Sequence, residues 1–297
     1  MVWLWILAGA AVWLVLGVLV ALTIGRSIRV ADDRSPHVGL PAGFSTADLP
    51  AALTAQSSVK TAPRPVPLPP VAIGLILVAL ALETTGYVTR LTGARGALAA
   101  TMSMDAPFSV PRLFVAVLFV VAAVAGVAGA GMQPGRRAWW LAVAAVAAGI
   151  AIVKAGGTVH VVLLQAAEDV VGSTASLVIS GALAVGVVGA LWFLSRSERR
   201  DRRRVLSALS LYGLAVVGLS ALSSAVAGAY GAGSSWAAAA TFVEESGEAL
   251  AGVGYLVAVL VGVAPQLVLP ASWPLRRRAD AEAAAAAEPA TQRAPRR

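Results

Sequence analysis

The sequence predicts an all-α, polytopic membrane helix bundle of about seven transmembrane helices, with the N-terminus outside and the C-terminus in the cytoplasm. Of its 297 residues, 58% are apolar and 13% are charged, whereas a typical soluble domain has roughly 25% charged residues. Seven windows meet or approach the length and apolarity needed to cross roughly 30 Å of hydrocarbon. Basic residues also concentrate in alternate connections between those windows.

The first predicted transmembrane helix, within residues 1–25, covers the apolar window 3–24 and is followed directly by Arg26 and Arg29. A cleaved signal peptide has a positive region before a shorter apolar core, and neither is found here. The window therefore favours a helix whose N-terminus lies outside. The other six windows form a predicted bundle over residues 71–270 and lie at 71–91, 112–131, 138–158, 174–194, 205–229 and 246–269.

Two segments outside the bundle are predicted to be cytoplasmic. Residues 26–70 form a Pro-rich linker that stiffens into a polyproline-like run before the second span. Residues 271–297 form a basic, Ala-rich tail that we expect to be disordered, because it has no apolar face. Neither segment is long enough for an ordinary catalytic domain, so any chemistry is expected in or beside the membrane.

The distribution of basic residues gives the predicted orientation. Nineteen of the 23 Lys and Arg residues lie in the connections 25–70, 132–137 and 195–204 and in the tail. All four segments are cytoplasmic if the N-terminus is outside, and basic segments face the cytoplasmic leaflet. The Arg-rich loop 195–204 is therefore interpreted as a lipid-facing connection and not as a specific nucleic-acid site. The preference for Arg over Lys suggests a GC-rich bacterial gene, so the predicted location is the cytoplasmic membrane.

Glu83 is the clearest ionisable residue inside a predicted span. It lies about 18 Å along the second span at roughly 1.5 Å per residue, in the outer half of the hydrocarbon. Tyr87 and Arg90 follow on the same helical face. Ionisable groups in a membrane span usually have a function. The structural alternative is that Arg90, Lys154 or a Ser of another helix satisfies Glu83, or that Glu83 is protonated.

The last span begins with several acids. Thr241 and Glu244 have the spacing of a capping box, and acids such as Glu244 and Glu245 are favourable in a first helical turn. Glu248 lies one turn deeper, on the same face as Glu244. Two carboxylates at this spacing could hold a hard cation or pass protons.

The fourth span is predicted to break at Gly156-Gly157, because an uninterrupted helix to Asp169 would exceed the hydrocarbon thickness. Beyond this break, His160 and Glu168 share a face if the segment is helical, and Asp169 follows. A His beside carboxylates is a candidate metal site or proton relay. The alternative is a hydrogen-bonded His at the membrane surface.

All these acids map to the outer half of the bundle, which predicts a polar, outward-facing cavity ringed by carboxylates. The candidate ion or proton site comprises Glu83, His160, Glu168, Asp169, Glu244 and Glu248. The supporting polar residues are Tyr87, Arg90, Lys154, Ser220, Ser223 and Ser224. Retention of basic residues inside also leaves the outer side relatively acidic, which is the structural explanation of the same pattern.

Three hypotheses for function follow. The first is a small transporter or ion- or proton-coupled permease. The second is a non-catalytic assembly or scaffold subunit that binds membrane proteins, or further copies of this chain, through the linker and tail. The third is a metal-dependent intramembrane hydrolase or transferase with His160, Glu244 and Glu248 as ligands and Glu83 as general base. An enzyme is the less favoured class. No cofactor is predicted, a divalent cation is left open, and the lipid bilayer is the expected surrounding.

Overall fold

A computed structural model describes residues 69–157, 172–195, 199–273, 275–277 and 279–281. The predicted span 3–24, nearly all of the linker 26–70 and the tail beyond residue 281 lie outside the described residues. Within the described ranges the chain is helical and contains no β-strand. The predicted all-α class is therefore confirmed.

Eight α-helices of the described ranges are numbered here in chain order, and residues 275–277 and 279–281 are also helical. The numbered helices are α1 (Pro70–Leu91), α2 (Ala97–Thr101), α3 (Val110–Met132), α4 (Arg137–Ala155), α5 (Ser173–Leu194), α6 (Arg199–Leu214), α7 (Ser220–Tyr230) and α8 (Ser235–Val263). A π-helical turn, Ala215–Leu219, joins α6 directly to α7. Short 3₁₀ turns precede α4 at Pro134–Arg136 and follow α8 at Pro265–Leu267.

Five helical segments in the described ranges are long and apolar enough to cross a membrane: α1, α3, α4 with its preceding turn, α6 joined to α7, and α8. Helix α5 is also apolar over Gly181–Leu194. The fold is thus a bundle of helices suited to a membrane. The count of seven spans and the orientation remain predictions.

Two predicted boundaries are wrong. The predicted loop 195–204 is partly helical, because α6 begins at Arg199. Arg is a good helix former, and Asp201 in the first turn contacts both Arg136 and Arg204. The last span begins at Ser235, well before residue 246. A hydropathy window stops at Glu245 because charged residues have strongly polar hydropathy values. In the structure, however, Glu245 and Glu248 are buried.

Helix α8 lies at the centre of the bundle. It packs against α1, α3, α6, α7 and the π-helical turn, and most of its side chains are buried. Helices α3 and α4 form a close hairpin, in which a Cβ added at Gly126 would lie 3.0 Å from the Ala144 Cβ. Because α8 contacts several helices along its length, its residues mark successive levels of the bundle.

The two ends of the bundle are named by an acidic residue at each. The Asp105 end contains the connection 92–109 between α1 and α3, and it is the end predicted to lie outside. The Asp201 end contains the turn between α3 and α4 and the first turn of α6. Along α8, Thr241 lies near the Asp105 end of the bundle and Gly262 lies at the Asp201 end.

Candidate functional site: a buried carboxylate–lysine cluster

Four ionisable side chains from three helices meet inside the bundle, and they are called here the acid cluster. They are Glu83 of α1, Lys154 of α4, and Glu245 and Glu248 of α8, with exposed fractions of 1%, 5%, 6% and 4%. Three carboxyl groups and one ammonium group are thus removed from solvent. Such groups are costly inside a membrane protein, and they usually mark an ion or proton pathway.

Lys154 points into the bundle and contacts both acids of α8. Its Nζ donates a hydrogen bond to Glu245 Oε2 at 3.2 Å and forms an ion pair with Glu248. The lysine lies in the last turn of α4, where the helix dipole favours a positive charge. The helix ends at the predicted break, with Gly156 in the left-handed region (φ 112°). The long side chain therefore reaches across to α8 from the end of its own helix.

Glu83 is the carboxyl group of the acid cluster that lacks a direct counterion. Among the described residues no ion pair reaches it, and its Oε2 accepts no hydrogen bond there. Arg90, one of the groups considered as a partner of Glu83, does not pair with it. Arg90 instead donates to Asp105 Oδ2 at 3.2 Å and to the Ala232 carbonyl at 3.3 Å. The other charges of the acid cluster act on Glu83 only electrostatically.

The charges of the acid cluster do not balance if every group is ionised. Three carboxylates face one ammonium group. The charge of Arg112 also acts on the cluster, but its guanidinium group donates a hydrogen bond to the Asp105 carbonyl at 3.1 Å. Excess negative charge is strongly disfavoured in a low-dielectric interior. The cluster is therefore suited to bind a proton or another cation.

An aromatic layer lies beside the acid cluster on the side of the Asp201 end. The Phe119 ring centroid is 4.7 Å from that of Tyr212 and 5.3 Å from that of Tyr255. The Tyr255 hydroxyl donates to the Val143 carbonyl at 3.1 Å. Tyr212 is buried, and the charges of Glu248 and Glu245 act on its hydroxyl group. Tyr212 thus lies next to the acid cluster as a member of the Phe119–Tyr212–Tyr255 layer.

A second aromatic layer lies on the opposite side, toward the Asp105 end. Tyr87 stacks on Phe242 with 4.8 Å between ring centroids, and the buried Met104 packs in the same group. A Cβ added at Gly86 would lie 2.5 Å from the Met102 carbonyl oxygen, so the connection 92–109 sits directly on α1. The acid cluster is therefore enclosed between two aromatic layers.

Glu244 faces away from the acid cluster. It is half-buried and accepts a hydrogen bond from Ser223, whose Oγ also lies 3.2 Å from the Ser220 carbonyl, while Ser224 is exposed. The predicted capping box of Thr241 and Glu244 is wrong. Helix α8 is capped by Ser234, whose Oγ accepts from the Ala237 N–H at 3.1 Å. Glu244 and Glu248 therefore lie well inside the helix and not at its first turn.

The predicted outward-facing cavity also involves His160, Glu168 and Asp169, which lie outside the described residues. Glu83 and Glu248 are buried in this conformation. A cavity of about 240 Å³ does lie at the Asp105 end, but Asp105 supplies its acidic side chain. Its lining residues are Gly86, Thr89, Arg90, Ala94, Ala99, Ser103, Met104 and Asp105. The cavity and the acid cluster are thus separate features.

The predicted metal site is not assembled by the described residues. His160, Glu168 and Asp169 lie outside them, and Glu244 and Glu248 point in different directions. Within the described ranges, no three His, Asp or Glu side chains are placed to hold a metal ion. The part of the site that the structure does bring together is Glu83, Glu248, Lys154 and the supporting Tyr87.

A separate charged network closes the Asp201 end. Asp201 forms ion pairs with Arg136 and with Arg204 of its own helix. Gln133 Oε1 accepts from Arg136 at 3.0 Å and from the Trp140 indole N–H at 3.1 Å. The sequence contains one signal for this network, an Asp within an Arg-rich run. It was not recognised because this run was predicted to be a loop. Tyr212 and Ser246 were also missed, because single hydroxyl groups in apolar helices give no pattern.

Comparisons with known proteins do not place this chain in a family. No protein-family model matches it, and searches of curated proteins and of solved structures found no match either. Function is therefore inferred from the acid cluster and its surroundings.

Proposed function

We propose that this protein is a small ion-coupled membrane transporter whose acid cluster binds the coupling cation, most simply a proton. The observation that carries this proposal is the unbalanced charge of the acid cluster. Glu83, Glu245 and Glu248 are buried with Lys154 as their directly paired cation among the described residues, so a bound cation reduces the excess negative charge of the fully ionised cluster. Buried carboxylates of this kind are typical of proton and ion pathways in membrane proteins.

The two aromatic layers support a transport cycle. A transporter must pass through a state in which its site is closed to both sides of the membrane. The acid cluster has this arrangement, with Tyr87 and Phe242 on one side and the Phe119–Tyr212–Tyr255 layer on the other. Movement of either layer would open the cluster to one end only.

A non-standard helical turn lies next to the acid cluster. The π-helical turn Ala215–Leu219 begins three residues after Tyr212 and packs closely on α8, since a Cβ added at Gly247 would lie 2.6 Å from Leu219 Cδ1. Such turns occur frequently at functional sites, and their wider hydrogen-bond pattern permits a local change of helix register. A shift here would move Tyr212 relative to Glu248.

The other two hypotheses have less support. A metal-dependent hydrolase or transferase needs His160 beside Glu244 and Glu248, and these two acids face different helices. The scaffold hypothesis depends on the linker and tail, most of which lie outside the described residues.

Thermal unfolding of the purified protein tests the proposal. A ligand that binds only the folded state raises the apparent melting temperature. We expect the wild type to respond to pH or to one member of a panel of monovalent and divalent cations. The double variant Glu83→Gln with Glu248→Gln should lose that response. Glu244→Gln is the matched control, because this acid lies on the same helix outside the cluster, and it should respond as wild type. Identical responses in all three proteins would refute the proposal.

A further inference from the structure

Two buried polar atoms without partners lie on facing helices at the acid cluster. Ser246 of α8 has an exposed fraction of 0%, and its Oγ makes no hydrogen bond in the described part of the chain. Glu83 Oε2 on α1 is also buried and makes no hydrogen bond to the described residues. A buried polar group that lacks a partner loses its hydrogen bonds to water without replacing them, so two such groups together call for an explanation.

The register between α1 and α8 puts these two residues at one level. Tyr87 stacks on Phe242, and Arg90 Nη1 lies 3.5 Å from Thr241 Oγ1, so the helices run antiparallel. Glu83 lies one turn before Tyr87 along α1, and Ser246 lies one turn after Phe242 along α8. Residues four apart share a helical face, so Glu83 and Ser246 form the next level of the same interface.

The unpaired state of Ser246 differs from that of other hydroxyl groups in these helices. Thr241 Oγ1 donates to the Ala237 carbonyl at 3.0 Å, and Thr85 Oγ1 donates to the Ala81 carbonyl at 2.7 Å. Ser and Thr commonly satisfy themselves in this way within a helix. Ser246 has no such bond, so its hydroxyl is available to a group on the facing helix.

We propose that Glu83 and Ser246 together form the proton-binding site of this protein. In the protonated state the Glu83 carboxyl O–H donates to Ser246 Oγ. On release, the proton leaves to water, the O–H bond of the carboxyl group breaks, and the Ser246 O–H donates to the resulting carboxylate. A hydroxyl group both donates and accepts, so Ser246 stabilises either state of Glu83. This inference depends on the proposed ion-coupled function and identifies its ion.

The surroundings of this level favour a proton over a metal cation. The neighbouring levels of the two helices are occupied by the buried apolar residues Ala79, Leu80, Ala249 and Leu250. The charged groups that act on Glu83 are Glu245, Glu248, Lys154 and Arg112, but within the described ranges no three acidic or His side chains are placed to hold a metal ion. A proton needs one carboxylate and one acceptor, and both are present.

Infrared difference spectroscopy between acidic and alkaline pH tests the site in proteoliposomes. The wild type should show the C=O stretching band of a buried protonated carboxylic acid, and Glu83→Gln should lack it. Ser246→Ala should shift this band to higher frequency, because the carboxyl group loses its hydrogen bond. Ser223→Ala is the matched control and should leave the band in place. A pair of isosteric variants, Ser246→Thr and Ser246→Val, repeats the comparison if the Ala variant does not fold.

Each outcome separates the inference from the proposed function. A Glu83 band that keeps its frequency in both Ser246→Ala and Ser246→Val would overturn the role of Ser246 and leave the proposed function intact. If the band is lost when the choline salt of the buffer is replaced by a sodium salt, the assignment of a proton as the bound ion is wrong and a metal cation binds at the same site. If no band depends on Glu83 and the thermal response to ions is also absent, the proposed function fails as well.

Discussion

At the scale of single residues, Lys154 determines whether the acid cluster is stable. Its ammonium group contacts both Glu245 and Glu248, and all three side chains are at least nine-tenths buried. Removing one member of a buried ion pair leaves an uncompensated charge and costs about 3–5 kcal/mol. Replacing the whole set with neutral groups costs much less, since no charge is then left behind.

The variant Lys154→Met should therefore lose about 3–5 kcal/mol of unfolding free energy. Adding Glu245→Gln and Glu248→Gln to it should restore most of the loss, because the carboxylates that need the ammonium group are then neutral. Equilibrium unfolding in detergent micelles measures both. Unchanged stability in Lys154→Met would show that the lysine does not neutralise these acids.

Residue-scale reasoning from the sequence reached part of the candidate site. Glu83 and Glu248 were identified because charged groups in apolar helices are costly, and the structure brings both to one cluster. The pairing of Lys154 with α8 was not predicted, because a contact between residues 154 and 248 depends on helix packing and not on local spacing. Ser246 was missed for the same reason.

At the scale of helices, glycine residues of α8 allow neighbouring helices to pack closely against its backbone. A Cβ added at Gly262 would lie 2.5 Å from Trp140 Cη2, whereas one added at Gly149 of α4 would meet no atom within 4 Å. Small residues permit such close approach between membrane helices. The crossing of α4 and α8 at the Asp201 end therefore depends on Gly262.

Gly262→Ala should accordingly destabilise the protein by about 1–3 kcal/mol, because the added methyl group overlaps the Trp140 ring. Gly149→Ala is the matched control. It should be neutral or stabilising by up to about 1 kcal/mol, since Ala is the better helix former and the space is open. Thermal unfolding of both variants checks this. Equal effects of the two substitutions would contradict the packing described for Gly262.

Helix boundaries were predictable where at most one buried acid interrupted the apolar run and not where several charges lay close together. The windows 71–91 and 112–131 agree with Pro70–Leu91 and Val110–Met132 within two residues. The window 246–269 misses the first turns of Ser235–Val263, because hydropathy counts paired, buried acids as though they faced water. The start of α6 was missed for the corresponding reason at Asp201.

At the scale of the whole molecule, the orientation of the bundle is the largest remaining prediction. The distribution of Arg and Lys predicts that the Asp105 end faces outward and the Asp201 end faces the cytoplasm. The chain contains no cysteine, so a single introduced thiol can be labelled without background.

The variants Ala97→Cys and Gly135→Cys place an exposed thiol at each end, at the first residue of α2 and in the turn before α4. In intact cells, a membrane-impermeant maleimide should label Ala97→Cys and should not label Gly135→Cys until the membrane is permeabilised. Comparable folding of both variants is checked by gel filtration. The reversed labelling pattern would show that the bundle is inverted relative to the prediction.

The most direct test of the central claim is a pH-jump experiment on proteoliposomes adsorbed to a solid-supported membrane. A proton that binds inside the bundle crosses part of the membrane and displaces charge, so the method needs no knowledge of the transported substrate. We predict a transient current for the wild type and for Glu244→Gln, and its loss in Glu83→Gln. A current that persists unchanged in Glu83→Gln, or that the wild type lacks, would contradict proton binding at the acid cluster.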